Sequence, residues 1–377
     1  MSGVFCVDEE TEILTPFGWR RHDGLKEGEL VYGYRRGALH EEPLNGVHRF
    51  IGPHEALQFS SLSFSMVVTP NHRCIAKRRR TYRAGPAHSV EAAFVPAAML
   101  NGSHYLVRSG SVKRRPTLSH DLVRLCAWIF AEGTYRPGES IRLCQSKTAN
   151  AQYCDEIAAL VARCGGKVIR RQSEQAIWMI GGDTAALIRL LMPGKVPGPE
   201  FWRRLSPHQA RLFLYEACRG DGNWSNLPDV PLPPPPRRFC RSLSNFFHGS
   251  NVRIAQTRPE GAEALHVIAT LAGIPARLVP VDSRGRHYVS LCSHRMLTCA
   301  ERTHREATII DMAWCPQTPS GAWVARRRGH VFITGNSHCV DALAYPLAIL
   351  MPADDLLRRQ NQTLAPRTKP PRSWVGA

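Results

Sequence analysis

Two short stretches decide the fold of the middle of the chain: Leu125-Cys-Ala-Trp-Ile-Phe-Ala-Glu132-Gly133 and Leu214-Tyr-Glu-Ala-Cys-Arg-Gly-Asp221-Gly222. Each is an apolar run with helical spacing that ends in an acidic residue and a glycine. Each is followed by a β-forming strand with basic residues, and then by a helical run that closes on a small-residue turn. Because the same order of elements occurs twice, the sequence predicts an internal repeat of two α+β halves.

The repeat places one carboxylate, Glu132 or Asp221, at the end of a helix in each half. Small residues beside these acids would let the two helices approach closely. Two carboxylates brought together can hold a divalent metal at one phosphate, where the metal polarises the phosphate and activates water. The alternative is that an acidic residue followed by glycine only ends a helix. The repetition favours the metal site.

The strands of the repeat carry basic side chains that suit a β-ribbon in the major groove and contacts to phosphates. The residues are Arg142, Lys147, Arg170, Arg171, Arg253 and Arg258. The whole chain of 377 residues has 49 Lys and Arg against 31 Asp and Glu, a formal charge of +18. This excess favours a polyanionic partner, with nucleic acid as the default. A preference for Arg codons would explain 42 Arg against seven Lys, but not the excess over acids.

With Lys195 in Gly-Lys-Val-Pro-Gly-Pro between them, the two motifs closely resemble the LAGLIDADG homing endonucleases. The resemblance implies two pseudo-symmetric αββαββα halves over residues 116–300, a saddle of strands on double-stranded DNA, and Mg²⁺-dependent double-strand cleavage. It further implies that Glu132 and Asp221 bind the metal and that Lys195 is the basic residue of the catalytic site. Since both acids belong to one chain, we expect a monomer. The departures are Glu in the first motif, Glu216 at a usually small position, and a proline-rich insertion at Leu227–Arg238.

Short β-forming runs flank this repeat on both sides, separated by Gly, Pro and Asn turn signals. They predict one all-β unit that is split around the α+β middle. The runs are Glu12–Thr15, Leu30–Tyr34, Ala56–Phe59, Met66–Val68 and Cys74–Ala76 before the repeat, and Thr308–Ile310, Trp323–Ala325 and Val331–Thr334 after it.

Four blocks of this split unit resemble those of an intein, a domain that excises itself by protein splicing. They begin at Cys6-Val-Asp-Glu-Glu-Thr11, Val68-Thr69-Pro-Asn-His72, Ile309-Ile-Asp311-Met and His330-Val-Phe-Ile-Thr-Gly-Asn336-Ser337. The resemblance covers residues 6–336. It implies an all-β, horseshoe-like Hint domain in two parts, 6–115 and 301–336, between a flank remnant 1–5 and a second flank 337–377. It implies no cofactor for splicing.

The residue types at the first junction fit this chemistry. Cys6 can attack the carbonyl of Phe5 and turn the peptide bond into a thioester, because a thiolate is a strong nucleophile. His72 would protonate the departing amide nitrogen, and Thr69 would hydrogen-bond near the Phe5–Cys6 bond. By resemblance, Asp311 assists proton movement around Cys6.

At the second junction, Ser337 would take the acyl group from sulfur. Asn336 would then cyclise through its side-chain amide and cut the Asn336–Ser337 bond. Inteins usually have His before the terminal Asn, and here that position is Gly335. We expect cyclisation to be slow and Gly335→His to accelerate it, unless the glycine is a required backbone feature. His330 could substitute if the strand brings it near.

The remaining features limit the setting. The longest apolar runs fall short of the ~20 residues needed to span a membrane. The N-terminus has no basic start and no apolar signal core, and the Cys spacing gives neither C-x-x-C nor a zinc motif, so a reducing cytoplasm is expected, in a bacterial or phage-encoded setting. The segment after Ser337 weakly resembles the nuclease motif of phage terminase large subunits, and an ordinary amphipathic helix explains it as well.

Two other functions stay open at this stage. One is a degenerate element that only cleaves at its N-terminal junction or only binds DNA. The other is a basic structural phage protein in which the β unit is a scaffold. The masses of the products on a denaturing gel would discriminate the three functions.

Overall fold

A computed structural model describes residues 5–62, 64–78, 92–138, 140–148, 150–169, 174–225, 251–291, 296–298 and 304–336. Three predicted site residues, Arg170, Arg171 and Ser337, lie outside the described residues, as do the proline-rich segment 227–238 and the flank 337–377. The predictions for these parts stay predictions.

The described residues form six α-helices: α1 His120–Glu132, α2 Ala151–Arg163, α3 Gly182–Leu191, α4 Pro199–Trp202, α5 Pro207–Asp221 and α6 Pro259–Leu271. Short 3₁₀ turns lie at His22–Gly24, Ala97–Met99 and Pro193–Lys195. None of these helices is both long enough and apolar enough to cross a membrane.

The strands before α1 are β1 Val7–Asp8, β2 Glu12–Thr15, β3 Gly18–Arg20, β4 Leu30–Arg35, β5 Ala38–Pro43, β6 Gly46–Ser61, β7 Phe64–Val68, β8 Arg73–Arg78, β9 Ala93–Pro96, β10 His104–Val107 and β11 Ser111–Val112. Those of the middle are β12 Gly133–Tyr135, β13 Ile141–Ser146, β14 Lys167–Ile169, β15 Gln175–Ile180, β16 Gly222–Ser225, β17 Asn251–Gln256, β18 Ala276–Val279, β19 His287–Leu291 and β20 Met296–Thr298. The last three are β21 His304–Gln317, β22 Ala322–Arg327 and β23 His330–Gly335.

The predicted split β unit is present in the structure. Strands from both sides of the middle pair with each other: β1, β21, β6 and β7 close a small barrel, and β2, β4, β8, β22 and β23 share one large sheet. The long antiparallel pair of β6 and β21 joins residues about 250 positions apart in the chain, such as Val47 and Pro316. Trp314 and Trp323 fill the core of this unit, with ring centroids 5.5 Å apart. Pairing between strands from both sides of the middle therefore brings the two parts of the β unit together.

The predicted repeat is also visible in the described middle. Its first half runs α1, β12, β13, α2, β14, β15, α3, which is the αββαββα order. The second half runs α5, β16, β17, α6, β18, β19 and is followed by strand β20. A closing helix of the second half is thus not found in residues 251–291 or 296–298, and this differs from the expected second αββαββα half. Here the chain instead adds a strand that pairs with β10 of the β unit.

The two repeat helices α1 and α5 begin in the same way because their sequences cap them alike. Ser119 accepts a hydrogen bond from the Leu122 amide at 3.1 Å. Ser206 and Gln209 form a reciprocal capping box, with Pro207 in the first turn. Both arrangements satisfy amide groups that a helix start would otherwise leave unpaired. The helices pack through buried aromatic rings, with the Phe130 and Phe213 centroids 5.8 Å apart.

Glu216, the departure at a usually small position, is completely buried on α5. Its carboxylate accepts hydrogen bonds from Arg124 on α1 at 2.6 Å and from Arg219 at 2.8 Å. Arg219 also bonds Glu156 of α2 at 2.6 Å. A buried carboxylate is tolerated when it is paired in this way, and removing one partner would leave an uncompensated charge. The odd residue is therefore explained by an ion-pair network that ties three helices together.

The middle and the β unit share one continuous sheet. Arg277 of β18 pairs with His330 of β23, and Ser111 bridges to Ala272. Side chains reinforce this contact: Arg326 bridges to Glu263 at 2.5 Å, and the indole of Trp202 donates to the Pro16 carbonyl at 2.9 Å. The two units are therefore joined by backbone pairing and by side-chain contacts.

Candidate functional site

The first candidate site is formed where β1 begins, and we call it the junction site. It consists of Phe5, Cys6, Thr69, His72, Thr334 and Asn336. Except for Phe5, all these side chains are nearly inaccessible, at 1% exposure or less. Three separate segments of the chain thus converge at one buried place, as the sequence analysis expected of five of these residues.

Thr69 and His72 lie on one tight turn between β7 and β8. The His72 amide donates to the Thr69 carbonyl at 3.0 Å, and Pro70 occupies the position that favours such a turn. The turn is anchored to the junction itself. The Cys6 amide donates to Thr69 Oγ1 at 3.0 Å, and the Thr69 amide donates to the Cys6 carbonyl at 3.0 Å. Thr69 therefore holds the nitrogen of the Phe5–Cys6 peptide bond.

The His72 ring lies between the two junctions. Its Nε2 is 2.5 Å from Thr334 Oγ1, two residues before Asn336. Burial lowers the pKa of His72 to about 4, against a smaller opposite effect from a hydrogen bond with the Phe5 backbone. The imidazole is therefore neutral at neutral pH, and it can accept a proton before it donates one. Thr334 is a site residue that sequence reasoning missed.

Cys6 faces a second thiol. Strand β1 pairs with β21 so that Val7 is opposite Trp314, which brings Cys6 beside Cys315 in a small cluster with Ala313. Burial raises the pKa of the Cys6 thiol well above its usual value, and a hydrogen bond with Cys315 raises it further. The sequence analysis expected Asp311 at this position instead.

Asp311 is exposed, at a register shift between Ile310 and Met312 of β21. It lies four residues from Cys315, about 13 Å along a strand. The structure therefore does not bring Asp311 to Cys6. The expected role of Asp311 is corrected, because the register of β21 gives that place to Cys315.

Asn336 is buried at the end of β23. Its backbone amide donates to the Gly321 carbonyl at 3.1 Å, and its side-chain Nδ2 donates to the Thr318 carbonyl at 3.0 Å. The indole of Trp323 donates to the Gly335 carbonyl at 3.0 Å and so fixes the preceding peptide group. His330 lies at the other end of the strand, about 16–20 Å away at the usual rise per residue. It does not reach Asn336, so the condition under which His330 could substitute is not met.

The second candidate site lies at the ends of α1 and α5, and we call it the acid site. It consists of Glu132, Asp221, Lys195, Gln145 and Gln256. The two helix ends touch: a Cβ placed on Gly220 would lie 2.5 Å from the Cβ of Ala131. Small residues at this contact permit the close approach that the sequence analysis expected.

The glycine after each acid has a structural reason. A Cβ on Gly133 would lie 2.5 Å from the carbonyl oxygen of Ile129, and one on Gly222 would lie 2.4 Å from that of Cys218. In each half the strand leaves the helix so sharply that only glycine fits against the last turn. In each half the glycine therefore ends the helix, and the acid before it is the last residue of that helix. Both interpretations of the acid-glycine motif apply at once.

The charges of the acid site influence one another. Burial raises the pKa of Glu132, and the nearby Asp221 raises it further. Burial also raises the pKa of Asp221, while Lys195 opposes this effect. The Lys195 ammonium donates to the Ala131 carbonyl at 3.0 Å, and its backbone has φ of 74°, which a residue other than glycine rarely adopts. Burial lowers the pKa of Lys195, and both Asp221 and Glu132 oppose this effect.

Two glutamines complete the acid site, and sequence reasoning missed them. Gln256 Nε2 donates to Asp221 at 3.3 Å, and Gln145 lies near Glu132 and lowers its pKa. A signal was present in the repeat: both glutamines end the run Ile-Arg-Leu-Cys-Gln145 or Val-Arg-Ile-Ala-Gln256. A cavity of about 350 Å³ opens here, lined by Lys195, Asp221, Gln256 and Arg258.

The residues of the acid site fit a Mg²⁺ ion that is held by two carboxylates together with a substrate phosphate. Among the described residues no cluster of three His, Cys, Asp or Glu side chains could hold a metal. Mg²⁺, however, is commonly held by one or two carboxylates, waters and the phosphates of a substrate. Glu132 and Asp221 supply such a pair, so a metal here would depend on a phosphate for its remaining ligands.

The predicted DNA-binding residues that the structure describes lie on strands of the repeat or just after them. Arg142 on β13 and Arg253 on β17 occupy equivalent positions of the repeat, between buried residues that face the helices. Lys147 is exposed just after β13, and Arg258 is exposed at the start of α6, where it donates to the Gly194 carbonyl at 2.9 Å. Of these basic side chains, Arg258 lines the cavity at the acid site.

No protein-family model and no curated protein matches the chain. Among solved structures, the chain is similar to the homing endonuclease I-DmoI in complex with DNA and Mn, at 9% identity and a TM-score of 0.30 over 46% of this chain and 89% of that one. It is also similar to the N-terminal LAGLIDADG domain of DUF199/WhiA, at 13% identity and a TM-score of 0.27 over 48% and 80%. For full-length DUF199/WhiA from Thermatoga maritima the values are 11% and 0.28 over 47% and 52%. Similarities this low carry no argument, so function is argued from the sites.

Proposed function

We propose that the chain is a self-splicing intein that excises residues 6–336 and carries a metal-dependent DNA endonuclease in its middle, residues 116–300. The observation that carries the splicing proposal is the turn of Thr69 and His72. Thr69 of this turn accepts a hydrogen bond from the nitrogen of the Phe5–Cys6 bond, and His72 contacts Thr334 on the strand that leads to Asn336. One element thereby links the two bonds that splicing must cut.

In the proposed first step the Cys6 sulfur forms a bond to the Phe5 carbonyl carbon, and the bond from that carbon to the Cys6 nitrogen breaks. The proton of the thiol ends on this nitrogen. His72 is neutral because burial lowers its pKa to about 4, so it can take the proton and return it as the nitrogen leaves. Thr69 keeps the nitrogen in place throughout. Ser337 then accepts the acyl group, and Asn336 cyclisation releases the excised segment.

The test is a denaturing gel with mass measurement of freshly expressed full-length protein. Splicing yields the excised segment 6–336, whereas Cys6→Ala should abolish cleavage after Phe5 by dithiothreitol. Asn336→Ala should keep that cleavage and block release of the C-terminal piece. Cys164→Ala, a half-buried thiol outside the junction site, is the matched control and should behave as wild type. Thiol-induced cleavage after Phe5 in Cys6→Ala would reject the proposal. Cleavage at the first junction alone would instead favour the degenerate element.

The endonuclease proposal has its own carrying observation: two carboxylates at touching helix ends, each beside a glutamine from the same position of the repeat. A bound Mg²⁺ would supply polarisation of a phosphate and activation of water. Lys195 would neutralise charge beside that phosphate, and the basic strands would bind double-stranded DNA. We propose that one chain suffices, because both carboxylates are present in it, and that the protein acts in the cytoplasm.

The test uses the duplex in which the codon for Phe5 is joined directly to that for Ser337. Binding should weaken steeply with salt, because basic residues displace counterions. Mg²⁺-dependent cutting of both strands should be lost in Glu132→Gln and in Asp221→Asn. Asp183→Asn, an exposed acid on α3, is the control and should cut normally. Cutting that survives the double substitution of Glu132 and Asp221 would remove these acids from the active site.

A further inference from the structure

The side-chain amide of Asn336 has a hydrogen-bond partner, Thr318, that has no role in the splicing steps described above. Thr318 contacts it twice: Nδ2 lies 3.0 Å from the Thr318 carbonyl oxygen and 3.3 Å from Thr318 Oγ1. Thr318 is 4% exposed and lies between β21 and β22, in the segment that packs against the end of β23. The amide nitrogen thus has two acceptor atoms within hydrogen-bond distance on one residue.

These contacts fix which way the amide faces. A backbone carbonyl can only accept a hydrogen bond, so the atom of Asn336 beside it must be the nitrogen and not the oxygen. The Asn336 Oδ1 on the other side is buried and has no hydrogen-bond partner in the described part of the chain. The amide is therefore held in one orientation by its nitrogen alone.

The Thr318 hydroxyl is itself oriented. It donates its single proton to the Ala322 carbonyl at 3.4 Å, so its lone pairs are free to face the Asn336 nitrogen. Gly321, whose φ is +72°, makes the tight turn that allows this arrangement, and a Cβ there would lie 3.7 Å from Asn336 Oδ1. Thr318 is thereby built as an acceptor for the amide protons.

We propose that Thr318 is a catalytic residue for the cyclisation of Asn336, acting on the nucleophilic nitrogen where no histidine is present. This rests on the proposed splicing function. In the step, Nδ2 forms a bond to the backbone carbonyl carbon of Asn336, and the bond from that carbon to the next residue's nitrogen breaks. The proton that Nδ2 loses balances the one that the departing amine gains. As Nδ2 attacks, this nitrogen becomes electron-poor, and Thr318 stabilises it by accepting its hydrogen bonds. The same hydrogen bonds direct the lone pair of Nδ2 at the carbonyl carbon.

The experiment compares three variants of the full chain. Thr318→Val removes the hydroxyl and keeps the volume and the backbone carbonyl, whereas Thr318→Ser keeps the hydroxyl. The matched control is Thr270→Val, a buried threonine on α6 whose hydroxyl donates to the His266 carbonyl at 2.8 Å. Two rates are measured in each: release of the C-terminal piece with a cyclic imide at Asn336, and cleavage after Phe5 by dithiothreitol.

Thr318→Val should slow C-terminal release roughly 3- to 10-fold, the value of one neutral hydrogen bond, and leave cleavage after Phe5 unchanged. Thr318→Ser should restore release, and Thr270→Val should leave both rates at the wild-type level. Unchanged release in Thr318→Val, or equal slowing of both rates, would overturn the role of Thr318 while the splicing function stands. A wild-type chain that shows neither cleavage would overturn the splicing function, and the role of Thr318 with it.

Discussion

Cys315 beside Cys6 sets the pH at which the proposed nucleophile forms. Burial and then the hydrogen bond with Cys315 raise the pKa of the Cys6 thiol, so less thiolate is present at a given pH. We expect Cys315→Ala to lower this pKa and to move the pH profile of dithiothreitol cleavage after Phe5 to lower pH. The measurement is the cleavage rate between pH 6 and 9.5, with Cys218→Ala as the control. A profile that stays in place, or loss of cleavage, would show that Cys315 acts in another way.

The surroundings of Gly335 change the result that we expect for Gly335→His. A Cβ there would lie 2.5 Å from the Arg73 carbonyl oxygen and 2.9 Å from the Phe94 ring, and its φ is not in the left-handed region. The glycine is therefore required by close packing of β23 against β8. Gly335→His should slow C-terminal release, not accelerate it, because the side chain would displace the strand that carries Asn336.

The simplest measurement on this position uses Gly335→Ala. It should lower the free energy of unfolding by about 1–3 kcal/mol, as overpacking does. The control is Gly46→Ala, at the start of β6, where the nearest atoms lie 3.6 Å from the added Cβ. Urea unfolding of both variants in a Cys6→Ala background decides the point. Equal stabilities for the two variants would contradict the packing explanation.

At the scale of elements, the contact between α1 and α5 determines the spacing of the two carboxylates. Gly220 leaves room for the methyl group of Ala131, with only 2.5 Å between that methyl and a Cβ at position 220. Gly220→Ala should push the helix ends apart and reduce Mg²⁺-dependent DNA cleavage about 10-fold or more, because displacement by ~1 Å can cost 10²-fold. The cleavage after Phe5 should not change.

The compensating change is a swap of the methyl group across this contact. The double variant Gly220→Ala with Ala131→Gly restores the space between the helices. It also keeps one glycine in the helix pair, so the helix-propensity cost cancels and cleavage should be regained. Cleavage rates of the two single variants and the double variant form the test. If the double variant is as impaired as Gly220→Ala alone, spacing between these helices is not what matters.

Comparison with the sequence shows which elements a pattern can predict. Strand β2 was predicted with its observed bounds, and the two repeat helices end at the predicted acids Glu132 and Asp221, because apolar periodicity marks faces that pack against a core. Strand β6 extends from Gly46 to Ser61, although only Ala56–Phe59 was predicted. Its first half is exposed or half-buried on both faces and so lacks a hydrophobic alternation.

The sites divide in the same way. Cys6, Thr69, His72 and Asn336 were predicted because each has a chemical reason to be present. The structure joins Cys6 to Thr69 and brings His72 to Thr334, two residues before Asn336. Asp311 was placed wrongly because the register of β21 depends on an irregularity between Ile310 and Met312 that has no clear signature in sequence. Thr318 could not be predicted, since its role arises from a turn formed only when β22 and β23 pair.

At the scale of the whole molecule, two fully buried histidines make stability depend on pH. His266 on α6 has no exposed surface, and burial lowers its pKa well below the usual value, with Arg326 adding to the effect. Burial likewise lowers the pKa of His72 to about 4. Between about pH 6.5 and 4 the unfolded chain binds protons at these positions that the folded chain does not bind. Stability from these residues is therefore present above about pH 6.5 and is lost as pH falls.

His72 alone should contribute roughly 3 kcal/mol to this loss, since its pKa differs from the ordinary value by about 2.5 units. Glu132 and Asp221 act in the opposite direction, because their raised pKa values make the folded state bind protons first. Comparing a histidine variant with the parent chain separates the histidine contribution to the pH dependence of stability from that of the carboxylates. His266→Gln should keep a donor toward the Gly329 carbonyl, which lies 3.2 Å from Nε2, but removes the titrating ring.

We expect the stability of His266→Gln to fall less steeply between pH 7.5 and 5 than that of the parent chain, with both measured as urea unfolding in the Cys6→Ala background. His304→Gln is the control, because the His304 side chain is 68% exposed and should leave the slope unchanged. The reason for this expectation is that burial, Arg326 and His330 all disfavour a positive charge on His266 in the folded chain. Parallel curves for His266→Gln and the parent would mean that the pKa of His266 is the same in the folded and unfolded chain, and they would contradict the prediction.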